Sequence, residues 1–142
     1  AEPVVKAGFR NICFGEWENR LQSDIMREFS EAWRTWTTRP EELRVAGAES
    51  LFDVRERSLR ELENTVAEYE GRTIALVSHR ALIKPMLAGA LGVAAPFFWR
   101  LHLDNAAYGV LSHTPARGFT LRALNITEHL KNLKIADDFD SM

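Results

Sequence analysis

Cys13 is the sole cysteine among 142 residues, which excludes an internal disulfide and any multi-cysteine metal site. That usage fits a cytoplasmic or otherwise reducing location. No apolar run approaches the roughly 18–20 residues that a membrane-spanning helix needs. No signal-peptide pattern opens the chain, although it begins at Ala1 rather than a methionine, as though residues had been removed or left out upstream. Neither sign of charge dominates. Eighteen Lys and Arg against 20 Asp and Glu leave a net charge of −2, so no electrostatic case for nucleic acid arises. His102, His113 and His129 lack the spacing of metal ligands and read as surface or strand-edge residues. Ser78 lacks the Gly-x-Ser-x-Gly context of a nucleophile elbow. No repeat, low-complexity segment or cofactor motif is visible.

What is present is organised around Thr73–Gly92, TIALVSHRALIKPMLAGALG. Ile74-Ala75-Leu76-Val77 is an unbroken apolar run, too short for a helix, and suits a strand covered on both faces. Gly71 is a natural stop for the helix before it. Ala81, Leu82, Leu87, Ala88 and Leu91 then favour a helix that Gly92 ends. Pro85 fits if that helix starts near Arg80 or Ala81, with the missing N–H among the first-turn orphans. His79 is thereby placed at the carboxyl end of a strand and the positive N-terminus of a helix. Open α/β sheets bind ligands at that edge, and helix N-termini favour anions. A histidine that merely caps the turn would give the same local pattern, and the pattern alone leaves both open.

The rest of the chain supplies two more helices and a hairpin. Residues 1–20 read as a loop punctuated by Gly8 and Gly15. Ser23 is expected to cap a helix whose apolar stripe is Ile25, Phe29, Trp33 and Trp36, ended by Arg39-Pro40. That stripe reads as core or lid packing rather than a cofactor box. Ser50 is expected to cap a second helix with Leu51, Val54, Leu59, Leu62, Val66 and Tyr69 on its inner face. Asp53 and Arg57 fit a helix-face ion pair, while Glu49 and Asp53, one turn apart, repel unless a cation sits nearby. Pro96 can start a turn whose Phe97, Phe98 and Trp99 form an apolar plug. Strands at Ala106–His113 and Gly118–Asn125, joined by Thr114-Pro115-Ala116-Arg117, predict an antiparallel hairpin. Residues 1–142 read as one domain, with 127–142 as a tail ending in the acidic Asp137-Asp138-Phe139-Asp140. Three strands are few for these helices. A strand as apolar as 73–78 needs neighbours on both sides, which points to missing chain or to a second copy completing the sheet edge.

Four motifs, in order, resemble the histidine phosphatase superfamily, also called the phosphoglycerate mutase-like family. GFRNICFGEWEN (8–19) is similar to the family's L-R-E-x-x-F-G-x-W-E-G segment, and GAESLFDVRER (47–57) to G-G-E-S-x-x-D-x-x-x-R. VSHRALIKPMLAGALG (77–92) is similar to V-x-H-G-G-x-I-x-x-L-L-x-x-L-L-G, and LDNAAYGVL (103–111) to L-x-N-x-S-x-x-x-L. The resemblance spans roughly residues 8–125. It implies an α/β three-layer sandwich around a mostly parallel sheet, N-terminally incomplete here. It also implies phosphatase or phosphomutase chemistry through a phosphohistidine, on a small phosphorylated substrate, with no cofactor, no metal, no nucleic acid and no membrane. In the family an N-terminal R-H-G motif supplies the nucleophilic histidine and a phosphate-binding arginine, and a second arginine follows in the next upstream segment. The second pocket histidine maps to His79, where it holds the phosphoryl group.

The chain departs from that pattern in three places. No R-H-G occurs in it, so this chain alone is expected to be inactive. The family's general-acid glutamate falls on Asn11, and an amide cannot give a proton to a leaving alkoxide. Glu16 and Glu18 are nearby, at positions that look structural. The glycine after the pocket histidine is Arg80, which could contact phosphate, crowd the site or point to solvent. Arg10, beside Asn11, could face an anionic substrate or be a plain surface arginine. These departures leave a second expectation standing, a non-catalytic phosphate-binding or scaffolding member.

Overall fold

The structure, a computed structural model, describes residues 2–131. It falls into two compact units, Ala1–Phe98 and Trp99–Met142, each described by itself. In the first unit the aromatic stripe forms two helices rather than one, α1 (Gln22–Glu28) and α2 (Ser30–Thr38). Phe29 sits between them, outside helical φ/ψ, with its ring against Trp17 and under the Arg20 guanidinium. Leu21, not Ser23, precedes α1, and no side chain caps it. Trp33 also touches Trp17, and Trp36 lies between Phe14 and Phe98. The tryptophans are therefore packing residues.

Helix α3 (Leu51–Glu68) begins as the sequence predicts. The Ser50 hydroxyl accepts from the Asp53 N–H, and the Asp53 carboxylate accepts from the Ser50 N–H, a complete capping box. Its buried stripe is Leu51, Val54, Ser58, Leu62 and Thr65. Two of these are polar, which is why apolar periodicity misplaces the stripe onto Leu59 and Val66. Both hydroxyls are satisfied within the helix, by donating to the carbonyls of Arg55 and Glu61.

Helix α4 (Arg80–Ala90) packs on α3 through Leu82, Pro85, Met86 and Leu87. A fully buried leucine contributes about 1.5–3 kcal/mol. Pro85 lies deeper in the helix than the first-turn orphans, so the Ala81 carbonyl loses its usual donor. The proline ring itself is fully buried. The far end closes as a Schellman motif: Val93 N–H bonds to Ala88, Gly92 N–H to Gly89, and Gly92 takes a φ of +66°.

Thr73–Ser78 departs from expectation. It forms no strand before α4: it pairs with no other described segment, and Val77 is 92% exposed. Apolar, β-branched composition makes a segment able to be a strand; only a neighbour's ladder makes it one. Among the described residues the paired strands are β1 (Tyr108–Thr114) and β2 (Gly118–Ile126), in the second unit. They form the expected antiparallel hairpin, closed by Arg117 N–H to Thr114 C=O, with Gly118 at a φ of +68°. Asp104 and Asn125 anchor its open end by two hydrogen bonds, 2.7 and 2.8 Å. The chain so described is α/β, with helices and a two-stranded antiparallel sheet. The acidic stretch 137–140 lies outside the described residues.

Candidate phosphate site

The site begins at the turn into α4. His79 is extended (φ −107°, ψ 153°) and its carbonyl accepts the first helical bonds, from Leu82 and Ile83 at 3.0 and 2.9 Å. Its imidazole makes no capping hydrogen bond and is exposed. The capping role that the sequence left open is therefore not taken. The ring stands at the positive end of an eleven-residue helix whose first N–H groups have no intrahelical acceptor.

Ser78 ties this turn to the loop of residues 8–13. Its hydroxyl donates to the Phe9 carbonyl at 2.8 Å. The residue before His79 is thus bonded to the residue before Arg10, so the turn that carries His79 and the start of the Arg10–Asn11 stretch are tied at their main chains. Arg80, first residue of α4, is half-buried rather than fully solvated. Burial, and then the Arg80 charge, push the Lys84 ammonium down to about 8. Lys84 is 4% exposed, with its ammonium 4.7 Å from the centre of the Phe98 ring.

The loop itself is held from α3. Arg57 Nε and one terminal nitrogen form a two-pronged pair with the Glu49 carboxylate, at 2.6 and 3.0 Å. The same guanidinium donates to three loop carbonyls: Gly8 at 2.8 Å, Arg10 at 3.0 Å and Asn11 at 3.1 Å. Glu49 also accepts from the Cys13 N–H at 3.0 Å and from Arg10 at 3.1 Å. Burial works against the Glu49 charge, but the hydrogen bonds from Arg57 and Cys13 outweigh it and hold its pKa below the ordinary value. Asp53 is engaged in the α3 cap, so the pair expected between Asp53 and Arg57 is replaced by Glu49–Arg57. The cation that the Glu49–Asp53 repulsion called for is Arg57.

Other expected side chains are engaged locally. The Asn11 amide oxygen accepts from the next residue's N–H, Ile12, at 2.9 Å. Glu18 accepts from Phe14 N–H at 3.0 Å, as a structural residue would. Gly15 needs its glycine: its φ is +57°, and a Cβ there would lie 2.1 Å from the Ala46 carbonyl oxygen. Sequence reasoning missed Arg57, the Ser78 hydroxyl and the buried Glu41, whose carboxylate accepts from Phe97 and Phe98 N–H at 2.7 and 2.9 Å. The signal for Arg57 was its place beside Glu49 within one motif. Nothing local marked Ser78 or Glu41, since their partners lie 69 and 56 residues away.

Comparison with known proteins bears on this arrangement. Phosphoserine phosphatase 1 of Hydrogenobacter thermophilus is 34% identical over 119 residues, covering 84% of this chain and 56% of that protein. The chain thus spans about half the length of that relative. Among solved structures, YhfR of Bacillus stearothermophilus superposes with a TM-score of 0.77 at 19% identity, over 83% of this chain and 58% of that one. A phosphoserine phosphatase from Entamoeba histolytica, solved with phosphoserine, gives 0.76 at 21% identity, over 92% and 65%. These two likenesses establish a shared α/β fold. The family model described as histidine phosphatase superfamily (branch 1) matches residues 1–127, and the chain belongs to that superfamily.

Proposed function

We propose that this chain carries the phosphate-pocket portion of a phosphomonoester hydrolase or phosphomutase that works through a phosphohistidine. The observation that carries this reading is the exposed His79 imidazole, unbonded at the N-terminus of α4 beside the Arg10–Asn11 loop. His79, Arg80 and Arg10 bind the phosphoryl oxygens, and the helix end adds its own positive potential. The nucleophile is supplied by an Arg-His-Gly segment outside these 142 residues. Its imidazole forms the P–N bond as the ester P–O bond breaks, and the departing alkoxide takes its proton from water; water, or an acceptor hydroxyl in a mutase, then attacks phosphorus, the P–N bond breaks and the imidazole is freed. A segment of that kind, or a second copy of the chain, gives 73–78 the neighbours that make it a member of a mostly parallel sheet within a single domain. The substrate is a small phosphomonoester, of the class to which phosphoserine belongs.

A second reading is a non-catalytic, phosphate-binding member of the superfamily. Asn11 favours it, because its amide has no proton to give a leaving alkoxide and is turned onto the Ile12 N–H. One experiment separates the two. Phosphoserine hydrolysis is assayed with this chain alone and with the chain joined to an upstream Arg-His-Gly segment. The enzyme reading expects no turnover from the first, turnover from the second, and its loss in His79→Ala. Phosphate binding that depends on His79, with no turnover in either form, selects the second reading. Binding that ignores His79→Ala overturns both.

A further inference from the structure

We propose that Arg57 is a positioning residue for the anion site: by gripping Glu49 and three loop carbonyls, it holds the Gly8–Asn11 stretch against the turn that carries His79. The proposal rests on the reading of His79 and Arg10 as anion contacts. Arg57 itself stays on α3 with its five hydrogen bonds turned to the loop and to Glu49, and so acts through residues that would touch the ligand.

The geometry is specific to arginine. Five hydrogen bonds leave one planar guanidinium along two edges, Nε and one terminal nitrogen toward Glu49, the terminal nitrogens toward Gly8, Arg10 and Asn11. A lysine keeps the charge but has one nitrogen and three donors, so it cannot span both edges. Between Gly8 and Asn11 the loop has few other ties. It contains no helix or strand beyond one short 3-10 turn at Ala7–Phe9, and Arg10 and Asn11 are both exposed. Apart from Arg57, its Gly8–Asn11 part is tied by Glu49 to Arg10, Gly8 N–H to Glu61, Arg10 N–H to the Ala7 carbonyl and Ser78 to Phe9, while Ile12 is buried and Cys13 is bonded on both sides, its N–H to the Glu49 carboxylate and its carbonyl to the Glu49 N–H. Glu49 is itself held by Arg57, so removing the fork loosens two of those ties together. Arg10 shares the Glu49 oxygen that Arg57 Nε grips, which holds its guanidinium on Glu49 with 62% of the side chain exposed.

The test is NMR on the full chain, comparing wild type with Arg57→Lys and, as a control on the same helix, Arg60→Lys. The wild type shows through-space contacts linking Phe9–Asn11 to Ser78–His79, and a protected Cys13 amide. Arg57→Lys keeps the folded circular dichroism, loses those contacts, exchanges the Cys13 amide faster and shifts the His79 ring signals. Its affinity for inorganic phosphate, followed on the same ring signals, falls roughly tenfold, the loss of about one charge-assisted bond. Arg60→Lys changes none of these. Should Arg57→Lys fail to fold, Glu49→Gln serves instead, with a smaller change in the same direction. Unaltered contacts and His79 signals in a folded Arg57→Lys chain overturn the proposal, even if its melting point drops. If phosphate moves no wild-type signal, the anion-site reading fails, while the contacts and the Cys13 exchange still decide whether Arg57 positions the loop.

Discussion

Two segments flank His79 and are held in opposite ways. The loop of residues 8–13 has almost no secondary structure, yet a side-chain fork, a carboxylate and a hydroxyl fix it. Residues 73–77 carry strong strand composition, yet they pair with no described segment and expose Val77 and Ile74. The difference is one of where the partners come from. A polar network of discrete donors and acceptors can be completed by the few residues that make it, and is costly when left partial. A central strand needs whole neighbouring strands on both edges. The first kind of order is carried within this unit of the chain, whereas for the second the described residues offer 73–77 no partner.

The sharpest way to break the ordered side of that comparison is Gly15→Ala. The chain turns just beyond the loop there, at a φ of +57°, with the Ala46 carbonyl where a Cβ would go. Strained backbone and a clash against main chain together should cost more than about 3 kcal/mol. Chemical denaturation should find the chain largely unfolded. Next comes Arg57→Ala, which strands the mostly buried Glu49 carboxylate. A loss of about 2–4 kcal/mol is expected, read as a lower denaturation midpoint with an unchanged slope. A loss below about 1 kcal/mol would show that the loop is held by something other than the fork.

Acid sharpens the same point. The folded pKa of Glu49 lies below its ordinary 4.5, so its contribution is fully present above that pH and is lost as pH falls through the folded value. Stability measured from pH 6 down to 3 should fall less steeply in Glu49→Gln than in wild type. Some acid sensitivity should remain in the variant, because the Asp53 carboxylate of the α3 cap, lowered by Ser50, titrates in the same direction.

How much of this was legible in the residues follows the range of the interactions. The α3 cap, the Gly92 stop and the hairpin were legible because each signal and its partner lie within a few residues. His79 at a helix start was legible for the same reason. The break at Phe29 was not, because a ring contact with Trp17, twelve residues earlier, outweighs an unbroken helical period. Arg57 was visible as a charge but not as a fork, since its acceptors are main-chain carbonyls that any sequence would offer. For 73–78 the buried strand expected from the apolar run does not form among the described residues. Its pairing was not legible, because pairing is a property of two segments.

Lys84 offers a smaller effect inside the ordered part. It loses its proton near 8 in the folded chain and near 10.5 unfolded. Between those values the unfolded state holds the extra proton, so stability should rise with pH through that window. Below it both states are charged and the burial penalty is fully present. Lys84→Met should remove that rise and, at pH 7, stabilise the chain by about 1–2 kcal/mol, the lost Phe98 contact being the smaller contribution. A rise that persists in the variant would assign it to another group.

The smallest effect is the most informative about the unpaired segment. Val77 is 92% exposed, so Val77→Lys removes no buried surface and should change stability by less than about 0.5 kcal/mol. The same substitution in a chain whose 73–77 segment is paired and covered should cost several times more, since a lysine would then enter a sheet buried on both faces. The contrast between those two measurements is what identifies the segment as a strand awaiting neighbours rather than a surface loop of apolar composition. A cost above about 1 kcal/mol in this chain by itself would mean that residues 73–77 are already covered, and the two flanks of His79 would then differ only in the kind of contact, not in its source.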